Sequence, residues 1–147
     1  MHEQISWWNT TFGINDINSI ASAIRRKCIS QGEITLEVES KIAKLLDVNH
    51  VVLVSSGSMA LVVALMAIKI RPGDEVIIPD RTWIATAHSI LQVGGIPVII
   101  DTHQERPVMD EARIEDAISN KTRAIMPVHM NGRSCNMKAI LKIAKEN

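Results

Sequence analysis

Four short runs of β-branched residues recur along this 147-residue chain, at Val51 to Val54, Val76 to Ile78, Pro97 to Ile100 and Ala124 to Val128. None alternates polar with apolar residues, so each is expected to be buried on both faces, as in a parallel sheet covered by helices. Helical patterns fill the intervals. The first opens with Ser56 or Ser58 as cap and continues to about Ile70, before Arg71-Pro72-Gly73. The second runs from near Thr82 to Gly94-Gly95, and Asp110 caps a third whose Ile114, Ala117 and Ile118 share one face. Strand, helix, strand at this spacing is a βαβ pattern, and the fold class it predicts is α/β.

Two helices are expected before the first strand. Ile17, Ile20, Ala21, Ile24 and Cys28 form one stripe; after Gln31-Gly32, Val38, Ile42, Leu45 and Leu46 form another. A final helix from about Asn136 presents Met137, Ile140, Ala144 and Leu141. No following strand is present, so a doubly wound chain ending there reads as unfinished.

Composition narrows the function classes. Lys and Arg number 16 and Asp and Glu 16, so no basic excess points to nucleic acid or an anionic membrane. With three Trp, one Phe and no Tyr, the chain lacks the aromatic surface on which single-stranded bases stack. Cys28 and Cys135 stand outside any CxxC pattern, and reduced thiols in a cytosolic protein are the plain reading. The start, MHEQISWWNTTFG, lacks the basic and apolar regions of a secretory signal. The longest apolar run, Ala60 to Ile68, is about half the ~20 residues a membrane-spanning helix needs. A soluble, cytoplasmic chain is expected.

The stretch SSGSMA, residues 55 to 60, takes the chain from an apolar strand into an almost wholly apolar helix. Two readings stand side by side. A serine caps the helix, or the turn holds an anion at the carboxyl edge of the sheet, where ligands of open α/β sheets bind. The first N–H groups of that helix lack intrahelical partners; phosphate could accept from them and from the Ser58 hydroxyl, with Gly57 allowing close approach. The string matches neither GxGxxG nor a GKS/T loop.

In IIPDRTWIATAHSI, Trp83 follows a buried strand directly and opens a helix, at the same sheet edge as Ser58. An indole there could cover a flat ring, or it could be an interface or packing Trp. His88, His103, His129 and Cys135 show no metal-ligand spacing, so no metal site is expected. Nothing specific lowers the thiol pKa that a Cys135–His129 nucleophile pair would need. Asp101, Asp110, Glu115 and Asp116 are expected to end a strand, cap a helix and face solvent.

Three phrases, in order and spacing, resemble the N-terminal part of the DegT/DnrJ/StrS family of pyridoxal-phosphate sugar aminotransferases. They are QGEITLEVESKIAKLLDVNHVVLVSSGSMAL, RPGDEVIIPDRTWIATAHSILQVGGIPVIID and ISNKTRAIMPVHMNG, and the similarity runs from about residue 14 to Asn147. The resemblance favours phosphate over the simple cap. It implies pyridoxal 5'-phosphate as cofactor, with Gly57, Ser58 and the backbone N–H of Met59 at its phosphate and Trp83 stacked on its ring. The family more often has Thr and Ala where this chain has Ser58 and Met59. His129 and Gly132 match the family phrase VHxxG, for which a strand-end histidine making a local hydrogen bond is the expectation.

The implied fold is the three-layer α/β/α large domain of fold type I pyridoxal-phosphate transferases, incomplete and mostly parallel, with four strands present. Residues 1–31 would form an N-terminal segment and helix, and residues 32–147 the βα units. In the family the Schiff-base lysine, the aspartate at the pyridinium nitrogen and a phosphate-supporting serine all come later than Asn147. No catalytic residue is therefore expected within the chain; Lys121, Lys138, Lys142 and Lys145 read as solvated charges. The resemblance also implies that the first strand lies at one sheet edge and the next three cluster at the other. Val51 to Val54 would then have no partner here, and the isolated chain is expected to be marginally folded.

The implied activity is transfer of an amino group, typically from glutamate, to a keto group on a nucleotide-linked sugar, in glycan or secondary-metabolite synthesis. The implied partners are a second copy in a homodimer or a complementing C-terminal polypeptide. Two alternatives stay open: a non-catalytic remnant or binding module, and a sugar dehydratase of the same family.

Overall fold

The structure, a computed structural model, describes residues 9 to 147; the first eight residues of the N-terminal segment lie outside it. The chain divides into two compact units, one ending at Leu53 and one spanning Val54–Asn147.

The first unit holds α1 (Ile14–Arg25) and α2 (Glu33–Leu46). The Asp16 carboxylate accepts the Gly13 N–H at 2.7 Å and holds the start of α1, and Arg26 pairs with Glu33 across the link to α2. Asp47, in the left-handed region at φ 53°, ends α2. The expected apolar stripes are present, yet Ile17, Ile20 and Ile24 of α1 and Leu45 and Leu46 of α2 are exposed.

Val51 to Val54 is not a strand. It pairs with no other segment among the described residues, and the Leu53 N–H goes instead to the Glu39 carboxylate at 2.8 Å. The sheet therefore has three strands where four runs predicted four. The physical reason is that an apolar β-branched run becomes a strand only when a neighbour completes its backbone ladder.

In the second unit those strands are β1 (Glu75–Pro79), β2 (Ile96–Ile100) and β3 (Thr122–Ile125), in the order β2-β1-β3 and all parallel. Central β1 sends alternate side chains to opposite faces. Val76 and Ile78 pack with Leu65 and Ile90, carried by α3 (Gly57–Ala67) and α4 (Ala85–Gln92). Ile77 packs with Ile114 of the short α5 (Ile114–Ala117) and with Ile140 and Ile143 of α6 (Met137–Glu146). Helices on both faces of a parallel sheet give the three-layer α/β/α arrangement. Each fully buried Ile or Leu contributes about 1.5–3 kcal/mol.

Burial on both faces holds for β1 only. At the edge, Ile96 and Ile99 of β2 are exposed, Ile99 at 62%; among the described residues β2 pairs with β1 alone. On α6 the inward face is Ile140 and Ile143 with Met137, while Leu141 and Ala144 point outward.

The loops close as their residues require. Gly73 and Gly94 take φ of 91° and 82°, and the Gly73 N–H reaches the Gly94 carbonyl at 3.1 Å. Asp110 caps the turn into α5 through the Ala112 N–H at 3.1 Å, and Asn136 caps α6 through the Ala139 N–H at 3.3 Å. Among the described residues no helix is long and apolar enough to cross a membrane.

Candidate functional site

Ser56 is the N-cap of α3. Its Oγ accepts the Met59 N–H at 3.3 Å, and its carbonyl accepts the Ala60 N–H at 3.0 Å. The N–H groups of Gly57 and Ser58 precede that first helical bond and are the ones left without an acceptor. With capping assigned to Ser56, the Ser58 hydroxyl is exposed and has no protein partner among the described residues. A Cβ placed on Gly57 would meet no atom within 4 Å, so the space in front of this turn is open.

Trp83 stands across that space. Asp80 ends β1 with its N–H on the Ile100 carbonyl at 2.9 Å, and its carboxylate takes the Thr102 N–H at 3.0 Å. The following turn is fixed by a hydroxyl pair, Thr82 to Thr86 at 2.7 Å, and α4 starts at Ala85 rather than near Thr82. Trp83 is thereby presented at the carboxyl edge of the sheet with 76% of its surface exposed. Ser58 and Trp83 line one cleft of about 180 Å³, together with Ile84, Ala85, His88, Ser89 and Gln92.

The chemistry of this cleft fits a flat ring carrying a phosphate. Two free amides and a hydroxyl at a helix start are donors for an anion, aided by a helix dipole worth about 0.3–1 kcal/mol. The indole supplies an exposed aromatic face. Met59 fits less simply: its N–H already binds Ser56, through a bond long enough at 3.3 Å to exchange.

Residues missed in the sequence are on α4. His88 and Gln92 join the cleft because Ala85, His88, Ser89 and Gln92 follow helical spacing from a residue already beside Trp83. That spacing was readable, but only once the start of α4 was fixed.

His129 and Cys135 make local backbone contacts. His129 Nδ1 accepts the Cys135 backbone N–H at 3.1 Å, the local hydrogen bond expected of it, and the buried Cys135 thiol donates to the Val128 carbonyl at 3.2 Å. Imidazole and thiol are therefore not paired as base and nucleophile. The VHMNG phrase forms a tight turn over Met130–Gly132, with φ of 52° at Asn131 and 74° at Gly132.

Folding also brings together His103, Asp110 and Glu111, whose ligand atoms lie within 4.8 Å of one another, a grouping that spacing alone did not reveal. His103 Nε2 is 2.9 Å from Glu111 and 3.2 Å from Arg106, and the Asn136 amide donates to Glu111 at 2.8 Å. Burial pushes the Glu111 carboxyl up, but the Asn136 amide, its own backbone N–H and His103 together outweigh this and hold it below the ordinary glutamate range.

Parallel sheet and two helical layers match the three-layer large-domain fold of pyridoxal-phosphate transferases, and the open start of α3 lies in one cleft with an exposed indole. The chain belongs to the DegT/DnrJ/EryC1/StrS aminotransferase family, which it matches over residues 12–147. It is 40% identical to GDP-perosamine synthase of Caulobacter vibrioides over 118 residues, 80% of this chain and 32% of that protein. A sugar aminotransferase from Streptococcus pneumoniae in its PMP form superposes with a TM-score of 0.93 at 28% identity, over 98% of this chain and 37% of that one. DesV of S. venezuelae gives 0.82 at 33% identity, over 88% of this chain and 36% of that one. The chain thus spans about a third of the length of the relatives it matches.

Proposed function

We propose that this chain forms the N-terminal, cofactor-holding part of a pyridoxal-phosphate-dependent aminotransferase acting on a nucleotide-linked keto sugar, with glutamate as amino donor. The observation that carries the reading is the cleft shared by Ser58 and Trp83, with capping left to Ser56. The Gly57 and Ser58 N–H groups and the Ser58 hydroxyl would hold the phosphate of pyridoxal 5'-phosphate. Exchange of the Met59 N–H from Ser56 would add a fourth donor. Trp83 would cover one face of the ring and exclude water from it. When bound, the cofactor supplies the electron sink that lets an amino group be transferred.

No lysine of the 147 residues is assigned to the covalent attachment. Lys121, Lys138, Lys142 and Lys145 are exposed, and Lys142 faces Glu146 at 3.7 Å. On this reading, proton transfer at the reacting carbon would fall to residues outside this part of the enzyme, as the family resemblance implies, and the chain alone is expected to be inactive. A homodimer in the cytoplasm goes with this reading. The dehydratase alternative is not favoured: the relative at 40% identity is a perosamine synthase, whereas the GDP-4-keto-6-deoxy-D-mannose-3-dehydratase of E. coli, which superposes with a TM-score of 0.86, is 26% identical.

The test uses protein expressed from the complete reading frame, incubated with glutamate and a GDP-linked 4-keto sugar while 2-oxoglutarate is measured. Stoichiometric 2-oxoglutarate and amino sugar support the reading. Retention of pyridoxal phosphate without transfer points to a binding module, and no retention of it defeats the proposal.

A further inference from the structure

The cleft beside Ser58 has a second wall, on α4, that the family assignment leaves without a role. Its polar side chains differ in what they are doing. The Ser89 hydroxyl donates to the Thr86 carbonyl at 3.0 Å and is buried. His88 is exposed, and among the described residues its ring has no hydrogen-bond partner, as is also true of the Ser58 hydroxyl. It is also the single ionisable side chain among the residues lining the cleft.

The charge balance makes this placement meaningful. The first turn of α3 carries no charged side chain, so the donors it offers are neutral amides and a hydroxyl. A phosphate monoester carries about −1.5 to −2 charges near neutral pH. An imidazole N–H can add a donor that neutral amides cannot match in strength once the ring is protonated. His88 lies one turn beyond Ile84, whose carbonyl takes its backbone N–H at 3.0 Å, so the backbone under the ring is fixed.

We propose that His88 is a further anion-holding residue of the cleft, donating from α4 to the phosphate that Ser58 and the start of α3 hold. The proposal rests on the cofactor reading above. It makes this phosphate site two-walled: neutral donors from one helix and an ionisable donor from its neighbour.

The experiment titrates the complete protein with pyridoxal 5'-phosphate and, separately, with phosphate-free pyridoxal, following ligand absorbance, for wild type, His88→Ala, His88→Gln and Ser58→Ala. His88→Ala is expected to weaken pyridoxal phosphate binding about tenfold and leave pyridoxal unchanged. His88→Gln, which keeps an N–H donor, should recover part of the loss. The unliganded thermal midpoint should not move, because the side chain is exposed. Unchanged pyridoxal phosphate affinity in His88→Ala, or an equal loss for pyridoxal, overturns the proposal. If Ser58→Ala weakens binding and His88→Ala does not, only the role of His88 fails; if wild type binds no pyridoxal phosphate, the cofactor reading fails with it.

Discussion

The Ser56 hydroxyl accepts the Met59 N–H at 3.3 Å, while the Ser58 hydroxyl, two residues on, faces the cleft that Trp83 lines. Two serines of one SSGS turn are thus separable: Ser56 caps the helix, and the Ser58 hydroxyl is left free for the proposed ligand. Ser56→Ala should therefore lower stability by about 1 kcal/mol, the usual cost of losing an N-cap. Ser58→Ala should leave stability within about 0.5 kcal/mol and weaken pyridoxal phosphate binding. Thermal melts paired with cofactor titrations would read both; a reversed pattern would assign the cap to Ser58.

Trp83 offers a similar separation. With most of its surface exposed it contributes little to the core, so Trp83→Ala should shift stability by no more than about 0.5 kcal/mol. Its loss should weaken binding of a flat ring by roughly 2- to 12-fold, the equivalent of about 0.5–1.5 kcal/mol of stacking. Trp83→Phe should recover much of that. A large drop in thermal midpoint for Trp83→Ala would show that the indole packs instead.

Two glycines should respond in opposite ways. A Cβ at Gly95 would sit 2.9 Å from Ile90 Cγ2 and 3.1 Å from Ile70 Cγ2, both core side chains, so Gly95→Ala should cost about 1–3 kcal/mol by overpacking. At Gly57 the same methyl meets nothing of the protein. Gly57→Ala should leave chemical denaturation unchanged while reducing phosphate affinity, and equal affinity in the variant would place the anion elsewhere.

Glu111 predicts a pH dependence. Its folded pKa is depressed below its unfolded value, so the stability it contributes is fully present above the ordinary glutamate pKa of about 4.3 and is lost as pH falls through the folded value. Glu111→Gln should flatten the acid limb of a stability-versus-pH curve below that point. An unchanged acid limb would mean that the His103–Glu111–Asn136 contacts add no net stability.

Much of the βα framework could be read directly from residue patterns. The runs beginning at Val76, Pro97 and Ala124 became strands, shifted by a residue or two, and Asp110 and Asn136 capped the helices that follow them. These features are local: a β-branched run, or a carboxylate or amide two to three residues before an orphan N–H, carries its own cause. The run at Val51 looked the same and did not pair, because its partner is not encoded in its own residues.

Within the candidate site the sequence supplied the types: hydroxyls, a glycine and an indole at one sheet edge. It could not choose between Ser56 and Ser58 as cap, since both are spaced to reach an N–H of the first turn. It also gave no sign that His88 shares a cleft with Ser58, or that His103 meets Glu111. Those are distances between elements, set when α4 docks beside α3 on Val76 and Ile78 and when the loop after β2 folds back at Thr102 and Met109. Local propensity marked the candidate segments and the chemistry they carry; tertiary packing decided which of them paired and which side chains were left free, because both depend on neighbours distant in sequence.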